Sequence, residues 1–215
     1  DYRDDIKISK DIINRLIETY RRIRNTLRFL HANINDDFNP KTDAVPYEKF
    51  SYLDKWMMSR LNMLIEKVLK AYNNYSFHAI YHSLHNFCAV DLSALYLDIV
   101  KDRIYVESKN STKRRASQTV MFETLVSFVK LLAPVLSYTA EEMWLYLKGN
   151  VEEESVFLTT FPRVEKEYIS GELEEEWSRI WELRELINKK IEEKRVEKVI
   201  GHSLDTKVIV TVPEK

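Results

Sequence analysis

Apolar residues recur three and four positions apart along most of this chain, the spacing that gives an α-helix one core-facing stripe. Ser9 stands as an N-cap and Asp11 puts a carboxylate in the first turn, where the helix dipole favours it, so a helix is predicted from about residue 10 to about 33. On a wheel of about 100° per residue, Leu16, Ile23, Leu27 and Leu30 fall within about 60° of one another. Arg21, Arg24 and Arg28 share a second arc of about 60°, centred roughly 120° from the first. For a helix taken alone, a solvated face is the plain reading of such a row. Arg22 falls outside the row and is the arginine expected to matter least.

The stretch NINDDFNPKTDAVP, rich in Asn, Asp and Pro, predicts a loop. Ser51 with Asp54 resembles a capping box and opens a second helix, about 52–72, interrupted by Asn73-Asn74. Ser76 caps a long third helix, FHAIYHSLHNFCAVDLSALYLDIVKDRIY, dense enough in apolar residues to run through the middle of a bundle. Polar ESKNST precedes a fourth, KRRASQTVMFETLVSFVKLLA, which Pro134 ends or kinks. Thr139 and Glu142 form a second capping-box pattern, restarting a fifth helix that runs to Gly149. A charged helix from about Glu172 to Val199 ends at Gly201, and the β-branched run Thr206–Val212 predicts a strand. The expected organisation is mainly α: a helical bundle over 1–149, a connector over 150–162, and a small partial α/β unit over 163–215.

The composition, 45% hydrophobic and 31% charged with 3 Gly, fits a helix-rich globular protein. No apolar run approaches the roughly 20 residues that span a bilayer, so no membrane partner is expected. A start at Asp1 without a basic-then-apolar leader, and one cysteine among apolar neighbours, give the expectation of a reducing cytoplasm and of a piece cut from a longer chain. The net charge of −1 hides an asymmetry: residues 1–116 carry 20 Lys+Arg against 15 Asp+Glu, the remainder 13 against 19. A basic half is a mild pointer to a polyanionic partner.

His78, His82 and His85 share one arc of the third helix, a spacing that can present imidazoles to a metal, but no cysteine or carboxylate completes a ligand set. Polar packing or an RNA-facing surface is the preferred reading, and no metal site is expected. Lys113, Arg114 and Arg115 open the fourth helix against the dipole's preference, as residues serving a ligand or as a solvated turn. Lys101 and Arg103 lie near the end of the third helix, where the dipole alone accounts for them. Glu141-Glu142 and the run ELEEE (Glu172–Glu176) are explained as first-turn carboxylates. There is no Ser-His-Asp or Cys-His nucleophile pattern and no glycine-rich phosphate loop, so no catalytic residue is expected.

The segments YRRIRNTLRFL, DAVPYEKFSYLDKWMMSRL, NYSFHAIYHSLHNFCAVDLSALYLDIVKDRIY, RRASQTVMFETLVSFVKLLAPVLSYTAEEMW and INKKIEEKRVEKVIGHSLDTKV, in this order, resemble the C-terminal part of the isoleucyl-tRNA synthetases, a class I family. The resemblance implies that residues 1–149 form that family's helical anticodon-binding domain. Its partners would be the anticodon stem-loop of an isoleucine tRNA and the catalytic and editing domains of the same parent chain. Neither HIGH-like nor KMSKS-like strings occur, so this portion is expected to be inactive and to need no cofactor, ATP and magnesium belonging to the full-length enzyme. Carried over by residue, the resemblance names Arg24 and Arg28 as RNA contacts, with Arg21 flanking, Asn25 either extending the same surface or hydrogen-bonding a neighbouring helix, and Lys101 and Arg103 near the same loop. The alternative is a bundle that mainly braces the synthetase while the anticodon is read elsewhere.

Overall fold

Of the capping signals in the sequence, Ser9 and Ser51 act through their side chains, whereas Ser76 precedes the third helix without a side-chain cap hydrogen bond. In the computed structural model, which describes residues 5, 7–34, 37–202 and 205–211, the Ser9 hydroxyl accepts from Ile12 N at 3.3 Å and opens α1 (Lys10–Ala32). The expected loop holds one short helix, α2 (Pro40–Asp43), capped by Asn39. At α3 (Tyr52–Asn73) the capping box forms in full: Ser51 Oγ accepts from Asp54 N, and the Asp54 carboxylate accepts from Ser51 N, both at 3.3 Å. The helix stops where Tyr75 adopts a left-handed φ of 53°, with Tyr75 N bonded to Tyr72 O and Ser76 N to Ala71 O.

The predicted third helix is one continuous rod, but its middle is not α. α4 (Phe77–Asn86) passes into a π-helical segment (Phe87–Tyr96) and then into α5 (Leu97–Val106). Hydrogen bonds to i+5 widen the turn, so residues four apart stay closer to alignment than in an α-helix. Ala89, Ser93, Leu97, Lys101 and Tyr105 follow that spacing and line a single groove. α6 (Thr112–Leu132) packs against α1, α3, α5 and α7 (Ser137–Tyr146), and nearly all its residues from Arg115 onward are buried. Phe87 stacks on Phe128 at 5.9 Å within this core, where a buried side chain of that size contributes about 1.5–3 kcal/mol.

Several expectations are corrected. Leu16 is 54% exposed, because α1 is buried only at Ile23, Thr26, Leu27 and Leu30, in its second half. Thr139 and Glu142 form no capping box: α7 starts after Leu136, leaving both inside the helix, where they face α1. Gly149, at φ +95°, does end that run, but the chain then folds back onto the bundle. Trp144 Nε1 donates to Glu153 O at 2.8 Å, Phe161 stacks on Tyr72 at 5.1 Å, and Tyr168 stacks on Tyr47 at 4.3 Å. By their internal contacts, Asp1–Ile169 and Ser170–Lys215 form two compact units.

The second unit contains α8 (Gly171–Val196), capped by Ser170 and carrying a Trp177–Trp181 stack at 4.9 Å. Its end is made by Lys198 at φ 58°, not by Gly201: Lys198 N bonds Arg195 O and Val199 N bonds Lys194 O. Thr206–Thr211 form no strand, since a β ladder needs a neighbouring strand and none is present among the described residues; Val212 lies outside them. No helix among the described residues is long and apolar enough to cross a membrane.

Candidate nucleic-acid interface

α1 presents a ridge, Asn25 and Phe29, between two grooves. On one side a groove of about 500 Å³ runs between α1 and the rod made by the π segment and α5, lined by Arg22, Asn25, Thr26 and Phe29 opposite Ala89, Ser93, Asp98, Lys101 and Tyr105. On the other a groove of about 680 Å³ runs between α1 and α7, lined by Arg24, Asn25, Arg28, Phe29 and His31 opposite Glu142, Met143 and Tyr146. Each groove has an exposed tyrosine on its far wall, Tyr105 at 66% and Tyr146 at 55%. His31 packs tilted against Tyr146 with ring centroids 5.5 Å apart.

The small Ala89 and Ser93 leave room for the first groove, while Thr26 ties its walls by a 3.4 Å contact between its hydroxyl and that of Ser93. Cys88, the chain neighbour of the groove-lining Ala89, is buried, and that burial pushes its thiol up to about 12. Lys101 reaches Asp98 Oδ1 at 2.9 Å, an exposed i,i+3 pair that holds the ammonium at the groove edge. The Arg22 guanidinium has no ion-pair or hydrogen-bond partner among the described residues.

In the second groove Arg24 is bidentate to Glu142, Nη1–Oε2 at 2.5 Å and Nη2–Oε1 at 2.8 Å. Arg24 Nη1 also reaches Tyr20 Oη at 3.3 Å, and Tyr20 Oη lies 3.0 Å from Thr139 Oγ1. The hydrogen bonds from Arg24 hold the Glu142 carboxyl below its ordinary range against slight desolvation, with the charges of Arg24 and Arg28 adding to them. Arg28 itself is exposed and forms no ion pair among the described residues.

The candidate residues thus separate. Arg24, Asn25 and Arg28 line one groove, and Asn25 and Lys101 line the other. Arg21 lines neither and pairs with Glu18 in solvent at 2.8 Å. Arg103 is committed inward: Nη1 donates to Asp54 Oδ2 and Ser51 Oγ, both at 3.0 Å. Asp54 is fully buried and also accepts from Tyr96 Oη at 2.6 Å, so Arg103 is the cation that balances it.

Two of the three residues that open α6, Arg114 and Arg115, serve the protein's own loop, while Lys113 is exposed. Arg114 reaches Asp37 Oδ2 at 2.5 Å, and Arg115 donates to Asp37 O and to Gln118 Oε1. Burial would raise the Asp37 carboxyl, but the bonds from Arg114 and Gln118 outweigh it and hold the group below the usual range. Tyr81 stacks on His85 and meets His82 edge-on, and no group of three side chains able to hold a metal occurs among the described residues.

Arg22, Phe29, Tyr105, Tyr146 and Glu142 were not singled out for the site by the sequence. A signal exists for Arg22: it shares an arc of about 100° with Asn25, Thr26 and Phe29, a polar-aromatic face distinct from the arginine row. Nothing comparable marked the tyrosines, whose partners across the grooves are distant in sequence.

The sequence profile of the family described as "Anticodon-binding domain of tRNA ligase" matches residues 54–210. The chain is 47% identical to an isoleucine–tRNA ligase of Petrotoga mobilis across 100% of its own length, and 52% identical to that of Caldicellulosiruptor saccharolyticus across 97%. The corresponding ligase of Geobacter sulfurreducens is 50% identical across 97%. The chain spans only 22–23% of the length of these relatives. The family match starts at Asp54, after α1, so the α1 ridge lies outside the matched residues.

Proposed function

Because the chain belongs to the anticodon-binding domains of tRNA ligases, we propose that its helical unit binds the anticodon stem-loop of an isoleucine tRNA along the α1 ridge. The observation that carries this is the pairing of a basic side chain with an exposed aromatic in each groove: Arg22 and Lys101 with Tyr105, Arg28 with Tyr146. Single-stranded RNA loops are recognised in that way, by bases splayed onto aromatic faces and phosphates met by guanidinium or ammonium groups. Arginine suits both contacts, since its planar fork accommodates phosphate oxygens and base edges alike. Asn25, between the grooves, has an amide that can both donate to and accept from a base edge.

In this reading Arg28, Arg22, Asn25 and Lys101 are the principal contacts, Arg24 is conditional on Glu142, and Arg21 and Arg103 stand aside. The longer parent chain, with its catalytic and editing domains, carries out ATP- and magnesium-dependent attachment of isoleucine in the cytoplasm, and these 215 residues have no ligase activity alone. The isoleucine assignment rests on the names of the relatives. The test is a titration of a fluorescent isoleucine-tRNA anticodon stem-loop against the chain at low salt. Binding that falls at least about fivefold in Arg28→Ala supports the reading, whereas equal affinity for wild type and Arg28→Ala contradicts it and favours a purely bracing role.

A further inference from the structure

The geometry points to Glu142 as a built-in competitor for RNA phosphate: its carboxylate occupies the Arg24 fork when the groove is empty and gives it up to a backbone phosphate when RNA enters. This rests on the RNA-binding reading above. A carboxylate and a phosphate offer a guanidinium the same two-point arrangement of oxygens, so the Oε1 and Oε2 positions stand where two phosphate oxygens would sit.

Three observations argue for exchange over a fixed brace. The pair sits at the groove wall with side chains 33% and 36% exposed, so water screens it and little stability depends on it. The buried Arg103–Asp54 pair is the contrasting case, with the carboxylate at 0%. Secondly, Arg24 has another hold: Tyr20 Oη accepts from Nη1 and is itself in contact with Thr139, so the guanidinium keeps its aim after Glu142 leaves. Thirdly, the unpaired Arg28 lines the same groove, giving an incoming phosphate a first contact beside the occupied one. Without Glu142, two free arginines would bind any polyanion; with it, the second is released only to a ligand that also fills the groove. Discrimination against other RNA is the consequence.

The experiment titrates the isoleucine-tRNA anticodon stem-loop, and a single-stranded RNA of the same length, against wild type, Glu142→Gln, Arg24→Ala, their double variant, and Glu18→Gln as an exposed control of equal charge change. Glu142→Gln is expected to tighten stem-loop binding by about 3- to 10-fold at low salt and to steepen the slope of log affinity against log salt by about 0.7. The gain should be larger still for the unstructured RNA, should vanish when Arg24 is also replaced, and should stay under about twofold in Glu18→Gln. Weakened or unchanged binding in Glu142→Gln, or the same gain without Arg24, overturns the proposal while leaving the RNA-binding reading intact if Arg28→Ala still loses affinity. A wild-type chain that does not bind the stem-loop overturns both.

Discussion

Arg24 on α1 and Glu142 on α7, 118 positions apart in sequence, are joined fork to fork by hydrogen bonds of 2.5 and 2.8 Å. A second long-range arginine–carboxylate pair, Arg103–Asp54, has the opposite setting. Exposure separates their roles. Glu142→Gln is expected to change unfolding free energy by no more than about 1 kcal/mol. Arg103→Met leaves the Asp54 charge buried without its cation and is expected to cost about 3 kcal/mol, read from urea midpoints. A Lys101→Ala control should stay within about 0.5 kcal/mol.

Salt dependence would distinguish the two kinds of RNA contact proposed. If Arg28 meets a phosphate, Arg28→Ala should flatten the slope of log affinity against log salt by about 0.7. Tyr105→Ala removes a stacking surface and no charge, so affinity should fall by about 1–3 kcal/mol at unchanged slope. Titrations at four or five salt concentrations measure both.

Acid should weaken the bundle partly through Asp37. Its folded-state carboxyl is held below its ordinary value by Arg114 and Gln118 in spite of burial. A depressed carboxylate contributes stability that is complete above the unfolded value, near 4, and is lost as pH falls through the lower folded value. Urea midpoints should therefore drop below about pH 4 in wild type, and less steeply in Asp37→Asn.

Tyr75 closes α3 in a left-handed conformation that disfavours a side chain, and it is exposed. Tyr75→Gly should relieve that strain and raise stability by about 0.5 kcal/mol, net of the added unfolded-state entropy and the lost Tyr75–Phe77 ring contact. Thermal melts of the two chains give the comparison.

What the sequence made legible follows from how local each signal is. Ser9, Ser51 with Asp54, and Pro134 act within a turn or two of themselves, and the helices they bound appear within a residue or two of expectation. Thr139 and Glu142 carried the same local pattern, yet both are spent on Tyr20 and Arg24, partners more than 100 residues away. Gly201 looked like a helix stop, but Lys198 reached the left-handed position first. The π segment left no mark because Phe87–Tyr96 contains no residue type that requires it. Asn25, Arg28 and Lys101 were legible as polar groups on a face. That Arg22 shares a groove with Lys101 became visible only when α5 was seen opposite α1.

Mapping the RNA footprint on the 215-residue chain tests the central claim most directly. In amide and side-chain NMR spectra recorded during titration with the isoleucine-tRNA anticodon stem-loop, the largest shifts should fall on Arg22, Asn25, Arg28 and Phe29 of α1, with Lys101, Tyr105 and Tyr146 across the grooves. Shifts confined to residues outside these two grooves, with the α1 ridge unmoved at saturating RNA, would contradict it.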